Sequence, residues 1–315
     1  MRVLVIGGDG FLGANLIQHL QRSGHHEVTA TALNRKGATS LDALNVKCRV
    51  EYGDVLDLEF LWRVLNATEA QWVFHLAAVS IVRIADNNPR RCLMTNIAGA
   101  INVLDAAYHA PHCESVVVAS SDKAYGDNGG ALYQETDELK PQGVYEVSKA
   151  CEDMIARMYG RTDTGPRVMV TRCANLYGQG DLNWSRLVPN SCRRAVNGLA
   201  PEVHKGAWDY QREWLYVEDA CRAYEHLAVW GESGQAYNVG SGDTLTAGDM
   251  AIKIAAGLQA PLPAASLAEL KCGEIPAQAL NCDKLKATGF TCKWTLDEGL
   301  RDTLNWYRRY VRWAV

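Results

Sequence analysis

The segment that most restricts the fold comes first in the chain: Val3-Leu4-Val5-Ile6-Gly7-Gly8-Asp9-Gly10-Phe11-Leu12-Gly13. An apolar run stops in a glycine-rich turn and continues as a helical pattern. Glycines at 7, 10 and 13 permit a tight turn and let the backbone approach a pyrophosphate closely. The helix that follows offers unpaired N–H groups and the positive end of its dipole. A plain turn needs no such spacing, so the segment predicts a dinucleotide site on a strand–turn–helix unit. The alternation continues. Residues 28–33, 49–52, 72–76, 116–119 and 168–171 read as strands, and 11–21, 58–65, 92–109 and 144–159 as helices. Such alternation predicts an α/β, doubly wound parallel sheet covered on both faces.

Past residue 175 the pattern loosens, with Gly178, Gly180, Pro189, Gly198, Pro201 and Gly206 as breaks. Helices are expected at 187–196, 217–230, 247–258 and 297–310. The expected organisation is a dinucleotide-binding Rossmann domain over 1–172 with a return segment at about 210–240, and a smaller C-terminal domain, mainly substrate-binding, over 173–315. Composition adds exclusions. At 315 residues, 48% apolar and 22% charged, with net charge −4, the chain reads as an ordinary soluble globule with no case for nucleic acid. No apolar run reaches the roughly 18 residues of a membrane span and the chain opens directly on a strand, so no membrane and a cytoplasmic location are expected. The ten cysteines form no Cys-x-x-Cys and are expected to be free thiols, and no His/Cys/acid cluster predicts a metal. Arg301, Arg308, Arg309 and Arg312 share a helical pattern with Trp306, Tyr307, Tyr310 and Trp313, which predicts a solvated face opposite a packed one.

Two later runs carry chemistry. Tyr145-x-x-x-Lys149 puts a phenol and an ammonium on one helix face, and a neighbouring cation lowers a phenol's pKa from about 10 toward the working range. Tyr145 is therefore a candidate general base for a sugar hydroxyl. Ser120-Ser121-Asp122-Lys123 ends an apolar strand and sets a hydroxyl, a carboxyl and an amine at its C-terminal end, where α/β sheets bind ligands. At the end of the second strand, where an acid would bind the adenosine ribose, stands Ala32, followed by Asn34, Arg35 and Lys36. Arg35 or Lys36 would attract a 2′-phosphate and Asn34 would bond a free ribose hydroxyl, so NAD and NADP both remain open. Asp54, in Gly53-Asp54-Val55 after the third strand, is placed to face the adenine amine.

With His75-Leu76-Ala77-Ala78, Asn96, Arg172-x-x-Asn175-x-Tyr177-Gly178 and Arg212-Glu213-Trp214-x-x-Val217-x-Asp219 added, the chain resembles the extended short-chain dehydrogenase/reductase family, the enzymes that modify nucleotide sugars. The resemblance covers essentially the whole chain. Ser-Asp-Lys at 121–123, Ala32-Leu33-Asn34 and Val82-Arg83 are similar to CDP-glucose 4,6-dehydratases, whereas the related dTDP-glucose enzymes carry Thr-Asp-Glu; Gly126 and the chain length depart from the CDP-glucose pattern. The resemblance implies that NAD is held by Gly7, Gly10, Phe11, Leu12, Gly13, Asn34, Arg35, Asp54, Val55, Leu76, Ala77, Ala78, Asn96, Tyr145, Lys149 and Cys173. It implies catalysis by Ser121, Asp122, Lys123, Tyr145 and Lys149, and binding of a nucleotide-diphosphate sugar by Arg83, Asn175, Leu187, Val188 and Arg212.

The implied reaction is an internal redox dehydration that passes hydride from C4 to the cofactor and on to C6 and yields a 4-keto-6-deoxy sugar. Asp122 would protonate the departing C6 hydroxyl, and Lys123 would take the C5 proton or steer Asp122. Arg212 has a structural alternative, pairing with Glu213 or Glu218. Trp184 and Trp208 read as core packing rather than base-stacking groups, and His75 as a structural hydrogen-bonder. A homodimer is expected through helices 92–109 and 144–159. Two rival readings are a nucleotide-sugar 4-epimerase, which needs no acid at C6, and a non-catalytic NAD(P)-binding sensor.

Overall fold

β1 (Arg2–Ile6) is buried from Val3 onward, and its side chains alternate between two halves of the core. Val3 and Val5 pack with Leu16, Ile17 and Leu20 of α1 (Phe11–Arg22), while Leu4 and Ile6 pack with Phe60, Leu61 and Val64 on the other side. A strand apolar on both faces belongs inside a covered parallel sheet. The computed structural model describes residues 1–35, 37–266 and 274–313 and shows that sheet.

After α1 come β2 (Glu27–Ala32), α2 (Ser40–Leu44), β3 (Arg49–Tyr52), α3 (Leu58–Thr68) and β4 (Trp72–His75). Next are α4 (Val82–Asn87), α5 (Pro89–Leu93), α6 (Gly99–Tyr108), β5 (Ser115–Ala119), α7 (Val144–Tyr159) and β6 (Arg167–Cys173). Then follow β7 (Asn175–Tyr177), α8 (Leu187–Val196), β8 (Glu202–His204), β9 (Gln211–Tyr216), α9 (Val217–Trp230) and β10 (Ala236–Val239). The last elements are β11 (Thr244–Thr246), α10 (Ala247–Leu258), β12 (Ala264–Ser266), β13 (Ala277–Gln278), α11 (Asp283–Ala287) and α12 (Leu296–Trp313).

The first sheet runs β10-β6-β5-β4-β1-β2-β3, all neighbours parallel. The chain steps outward from β1 to β3, then returns to lay β4 on the other side of β1. That reversal opens a crevice beyond the C-terminal ends of β1 and β4, where such sheets bind ligands. A second sheet centres on β9, with β11 antiparallel on one side and β13 and β7 parallel on the other. Its register sets Gln278 beside Arg212 and Asn175 beside Trp214. α9 packs on the first sheet and β10 extends it along β6, while β9, expected within the return segment, stays in the second sheet.

The expected helix over 92–109 is interrupted. Met94–Ala98 forms a π-helical turn between α5 and α6, and Asn96 in that turn is fully buried. Asn96 Oδ1 accepts from Val79 N at 2.7 Å, and its Nδ2 donates to Ser148 Oγ at 2.8 Å. These contacts explain why the regular helix gives way. The short helices α2, α4 and α11 are too brief for a periodicity to declare. α2 is held instead by a reciprocal cap, Asp42 N to Thr39 Oγ1 at 3.2 Å and Thr39 N to Asp42 Oδ2 at 3.0 Å. The nine cysteines among the described residues are free; Cys272 and Lys36 lie outside the described residues. Trp306 and Tyr307 are buried and Arg301 and Arg309 exposed on α12, as the two-faced pattern predicts, while the side chains of Arg312 and Trp313 lie outside the description. No helix among the described residues is long and apolar enough to cross a membrane.

A charged cluster ties α1 to α9. His19 Nδ1 meets Glu218 Oε1 at 3.1 Å and its Nε2 meets Glu225 Oε2 at 2.8 Å; Arg22 reaches Glu218 and His26 reaches Glu225. Burial opposes the His19 charge, but the hydrogen bonds to both carboxylates outweigh it and raise its pKa from 6.5 to about 9. A raised histidine stabilises the fold fully below its unfolded pKa and loses that contribution as pH rises through the folded one. The thermal midpoint should therefore decline between pH 6.5 and about 9, and His19→Gln should flatten that decline. Thermal unfolding followed by circular dichroism across this range checks it; an identical slope in the variant would refute the role of His19.

Candidate active site

The crevice between β1 and β4 is shaped for a dinucleotide. Gly7 has φ +81°, and a Cβ there would stand 2.7 Å from the Ala77 backbone; a Cβ at Gly13 would overlap Gly7 O. Gly10 caps α1 in extended conformation without a side-chain hydrogen bond, so the N–H groups at Phe11, Leu12 and Gly13 face outward for a phosphate. Leu76, Ala77 and Ala78 line the facing loop as half-buried residues. This cradle fits NAD. At the adenosine end, Asn34, Arg35 and Asp54 are exposed; Asp54 Oδ1 accepts from Leu56 N at 3.0 Å, and Val55 is buried with its carbonyl accepting from Asn102. The Asn96 amide is spent on the Val79 loop and Ser148, so it shapes the cofactor loop through its side chain rather than reaching into the crevice.

The reactive residues come from two adjoining elements. Ser121 caps a 3-10 turn, Asp122–Tyr125, that follows β5, its Oγ accepting from Lys123 N at 3.2 Å and donating to Asp122 Oδ1 at 3.0 Å. α7 starts at Val144 because Glu146 folds back to accept from Gln142 N and Gly143 N, both at 3.0 Å. That start sets Tyr145 in the first turn and Lys149 one turn later on the same face. Lys149 Nζ donates to Ala119 O at the end of β5 at 2.7 Å. Tyr145 is buried; burial raises its phenol, while Lys149 and then the Ser121 hydrogen bond pull it down. The sign expected of Lys149 is present, but burial outweighs it, so the phenol ends above its ordinary value rather than below.

Asp122 and Lys123 lean toward their neutral forms. Burial raises Asp122 against the pull of Lys123, and burial lowers Lys123 against that of Asp122. A carboxyl raised toward its acid form beside an amine lowered toward its free base is suited to giving one proton and taking another. Arg212 is felt at both groups. Its guanidinium donates to Gln211 O at 2.8 Å and lies 3.7 Å from Glu274 Oε1. Its partner is thus Glu274, and not Glu213, which accepts from Gly242 N and Leu280 N, nor Glu218, which faces His19 and Arg22. Asn175 Nδ2 is buried without a hydrogen-bond partner, which suits a ligand oxygen. Leu187 and Val188 open α8, whose N-terminus has no side-chain cap. Arg83 is exposed on α4. Cys173 ends β6, buried, with burial pushing its thiol up to about 12. Trp184 packs against Tyr307 and Arg193, and Trp208 against Gly248, consistent with packing roles. His75 departs from its expected role: both ring nitrogens lack a hydrogen bond.

Three residues were not singled out in the sequence. Arg186 immediately precedes α8, pairs with Asp181 at 3.1 Å and is felt at Tyr145. Gln278 is buried, accepts from Lys123 Nζ at 3.0 Å and keeps an unpaired Nε2. Glu152 pairs with Lys149. No motif marks any of them, since each owes its place to a contact between distant segments or to an occupied helix face.

A doubly wound sheet with a glycine-lined cradle beside a Tyr/Lys pair defines a dinucleotide-dependent enzyme of the short-chain dehydrogenase/reductase type. More narrowly, residues 3–240 match the NAD dependent epimerase/dehydratase family, and the chain belongs to it. It is 31% identical over 313 residues to the low-salt glycan biosynthesis protein Agl12 of Haloferax volcanii, covering 98% of each. DesIV, a dTDP-glucose 4,6-dehydratase of Streptomyces venezuelae solved with NAD, is 27% identical with TM-score 0.91, covering 99% of this chain and 98% of that one. The UDP-glucose 4-epimerase of Thermotoga maritima, solved with UDP-glucose, is 25% identical with TM-score 0.89, covering 98% and 99%. NAD is the family's cofactor. The tilt toward CDP-glucose expected from Ser121-Asp122-Lys123 finds no support in these relatives, of which DesIV is a dTDP-glucose enzyme and the Thermotoga maritima epimerase a UDP-glucose enzyme.

α7 is locked to the sheet by a buried ion pair. Arg172 on β6 donates through Nε and Nη2 to the two Asp153 oxygens at 2.7 and 2.9 Å, both residues fully buried. Removing one partner leaves the other charge buried alone. Asp153→Ala should lower the unfolding free energy by about 3–5 kcal/mol, read by urea denaturation. A loss under about 1 kcal/mol, the scale of an exposed pair, would contradict the burial.

Proposed function

We propose that the chain is a nucleotide-diphosphate-hexose 4,6-dehydratase that forms a 4-keto-6-deoxy sugar. The observation that carries this reading is the pairing of buried Asp122 with half-buried Lys123, each pushed by burial in the direction of its neutral form, next to Tyr145 and Lys149. An epimerase has no use for an acid at C6; a dehydratase requires one. The similarity to DesIV supports the same reading.

The Gly7–Gly13 cradle would hold NAD, which would supply the hydride-accepting and hydride-returning chemistry the reaction needs. Tyr145, flanked by Lys149 and Ser121, takes the proton of the C4 hydroxyl. The resulting 4-ketone acidifies C5, and Lys123 removes the C5 proton. Asp122 protonates the C6 hydroxyl, which leaves as water. After C6 is reduced, Lys123 returns a proton to C5. Arg212, the Asn175 amide and the N–H groups at Leu187 and Val188 hold the diphosphate. Residues 1–172 with α9 and β10 carry the cofactor, and the remainder mainly the sugar nucleotide. The substrates to compare are dTDP-, UDP- and CDP-hexoses.

The second reading is a 4-epimerase, which the similarity to the Thermotoga maritima enzyme favours. A second copy of the chain is the proposed partner: Met154 and Met158, one turn apart on α7, are 55% and 53% exposed, and Ile101 on α6 is 40% exposed. Free thiols suit a reducing compartment, so the cytoplasm is the proposed location.

Incubation with CDP-, GDP-, dTDP- and UDP-hexoses, followed by NMR and mass spectrometry, should reveal a 4-keto product lighter by one water. No product from any of the four would remove the assignment, and C4 inversion without water loss would favour the epimerase. Asp122→Asn should reduce elimination by about 100-fold or more while C4 oxidation persists. Equal loss of both steps would sink the acid role. Light scattering of the purified protein should give twice the monomer mass, and a monomer would remove the dimer.

A further inference from the structure

Behind Tyr145 lies a carboxylate that the proposed reaction leaves unused. Glu152, three residues past Lys149 on α7, is fully buried, as is His75 at the end of β4. Glu152 Oε2 accepts from Lys149 Nζ at 2.7 Å. Its Oε1 has no hydrogen bond and stands 3.5 Å from His75 Nε2, while His75 Nδ1 is likewise unpaired. Burying a carboxylate with half its lone pairs idle beside an unpartnered imidazole is costly for folding. Such a cluster, placed directly behind the proposed base, points to a role in setting that base.

An ammonium has three protons to give. One goes to Ala119 O and one to Glu152 Oε2, both at 2.7 Å, which leaves the third for the side facing Tyr145. We propose that Glu152 is a positioning residue: it fixes Lys149 between Ala119 and Tyr145 and takes up part of the ammonium's charge, so that a buried Glu152–Lys149–Tyr145 chain, not Lys149 alone, sets the base. The proposal rests on Tyr145 being the base of the reaction described above.

The electrostatics agree with the geometry. Burial raises Glu152 to about 7, with Lys149 pulling the other way, so the carboxyl changes charge near neutral pH. His75 is held neutral, lowered to about 3 by burial and then by Lys149. Lys149 keeps its charge because Glu152 and Tyr145 outweigh its burial. Groups from several neighbouring elements act on this cluster. Cys92 on α5 is felt at Lys149, Ser121 after β5 and Arg186 before α8 act on Tyr145, and Asp153 on α7, bound to Arg172 of β6, acts on Glu152. Among these, Glu152 opposes the acidifying effect of Lys149 on the phenol.

The test reads the phenol directly. Ultraviolet tyrosinate titration of the protein, minus that of the Tyr145→Phe variant, gives the Tyr145 midpoint without any substrate. Glu152→Gln should lower that midpoint by about 1 pH unit, and Glu152→Asp should shift it less in the same direction. The acidic limb of the kcat profile should move with it. An unchanged midpoint in the variants overturns the proposal, and if neither variant folds the pair is structural and the positioning role falls. Absence of turnover on every nucleotide sugar would remove the functional reading while leaving the titration result standing.

Discussion

The guanidinium of Arg172 is the constraint on which the site hangs. It is fully buried at the end of β6, bound in parallel to both oxygens of Asp153 and lying 4.7 Å over the Tyr125 ring. A third nitrogen donates to Tyr125 OH at 2.9 Å, and that hydroxyl donates to Asn238 Oδ1 on β10 at 2.7 Å. One charge thus joins α7, the turn after β5, β6 and β10. Desolvating it is expensive, and pairing only offsets that expense, so its value lies in geometry more than in net stability. Asp153 is one turn beyond Lys149, so fixing Asp153 also fixes the azimuth of α7 and with it the direction of Tyr145.

The second sheet supplies what the first cannot. Arg212 and Gln278 are register partners on β9 and β13, and both face the Asp122–Lys123 turn, Gln278 by a direct bond from Lys123. Glu213, the neighbour of Arg212, is spent on backbone N–H groups of Gly242 and Leu280. Alternation along the strand therefore gives adjacent residues opposite duties, one toward the cleft and one toward the loops that hold the sheet.

Much of this was legible in the chain. The glycine spacing and the β–α alternation announced the first sheet, and helices 144–159, 187–196, 217–230 and 247–258 begin and end where their periodicity does. Tyr145 and Lys149 fall on one face because four-residue spacing demands it. What escaped was set by three-dimensional contact. Asn96 reads as part of an unbroken helix until Val79 and Ser148 claim its amide. Arg212 was offered two nearby acids and took Glu274, brought beside it by the pairing of β13 with β9. The phenol of Tyr145 illustrates the remaining gap, since the partner that lowers its pKa was visible and the burial that raises it was not.

The π turn at Met94–Ala98 makes helix phase depend on residue count. In an α-helix each residue advances the face by about 100°, so one extra residue within a turn rotates everything on one side relative to the other by that angle. α5, which presents Cys92 to the Tyr145 cluster, and α6, which presents Val103 and Leu104 to the sheet, are faced correctly only because the turn absorbs that offset. The segment is therefore more sensitive to length than to identity. Exchanging a side chain at an outward position leaves both faces aligned, whereas deleting any one residue would swing a whole helix out of phase with the base it supports.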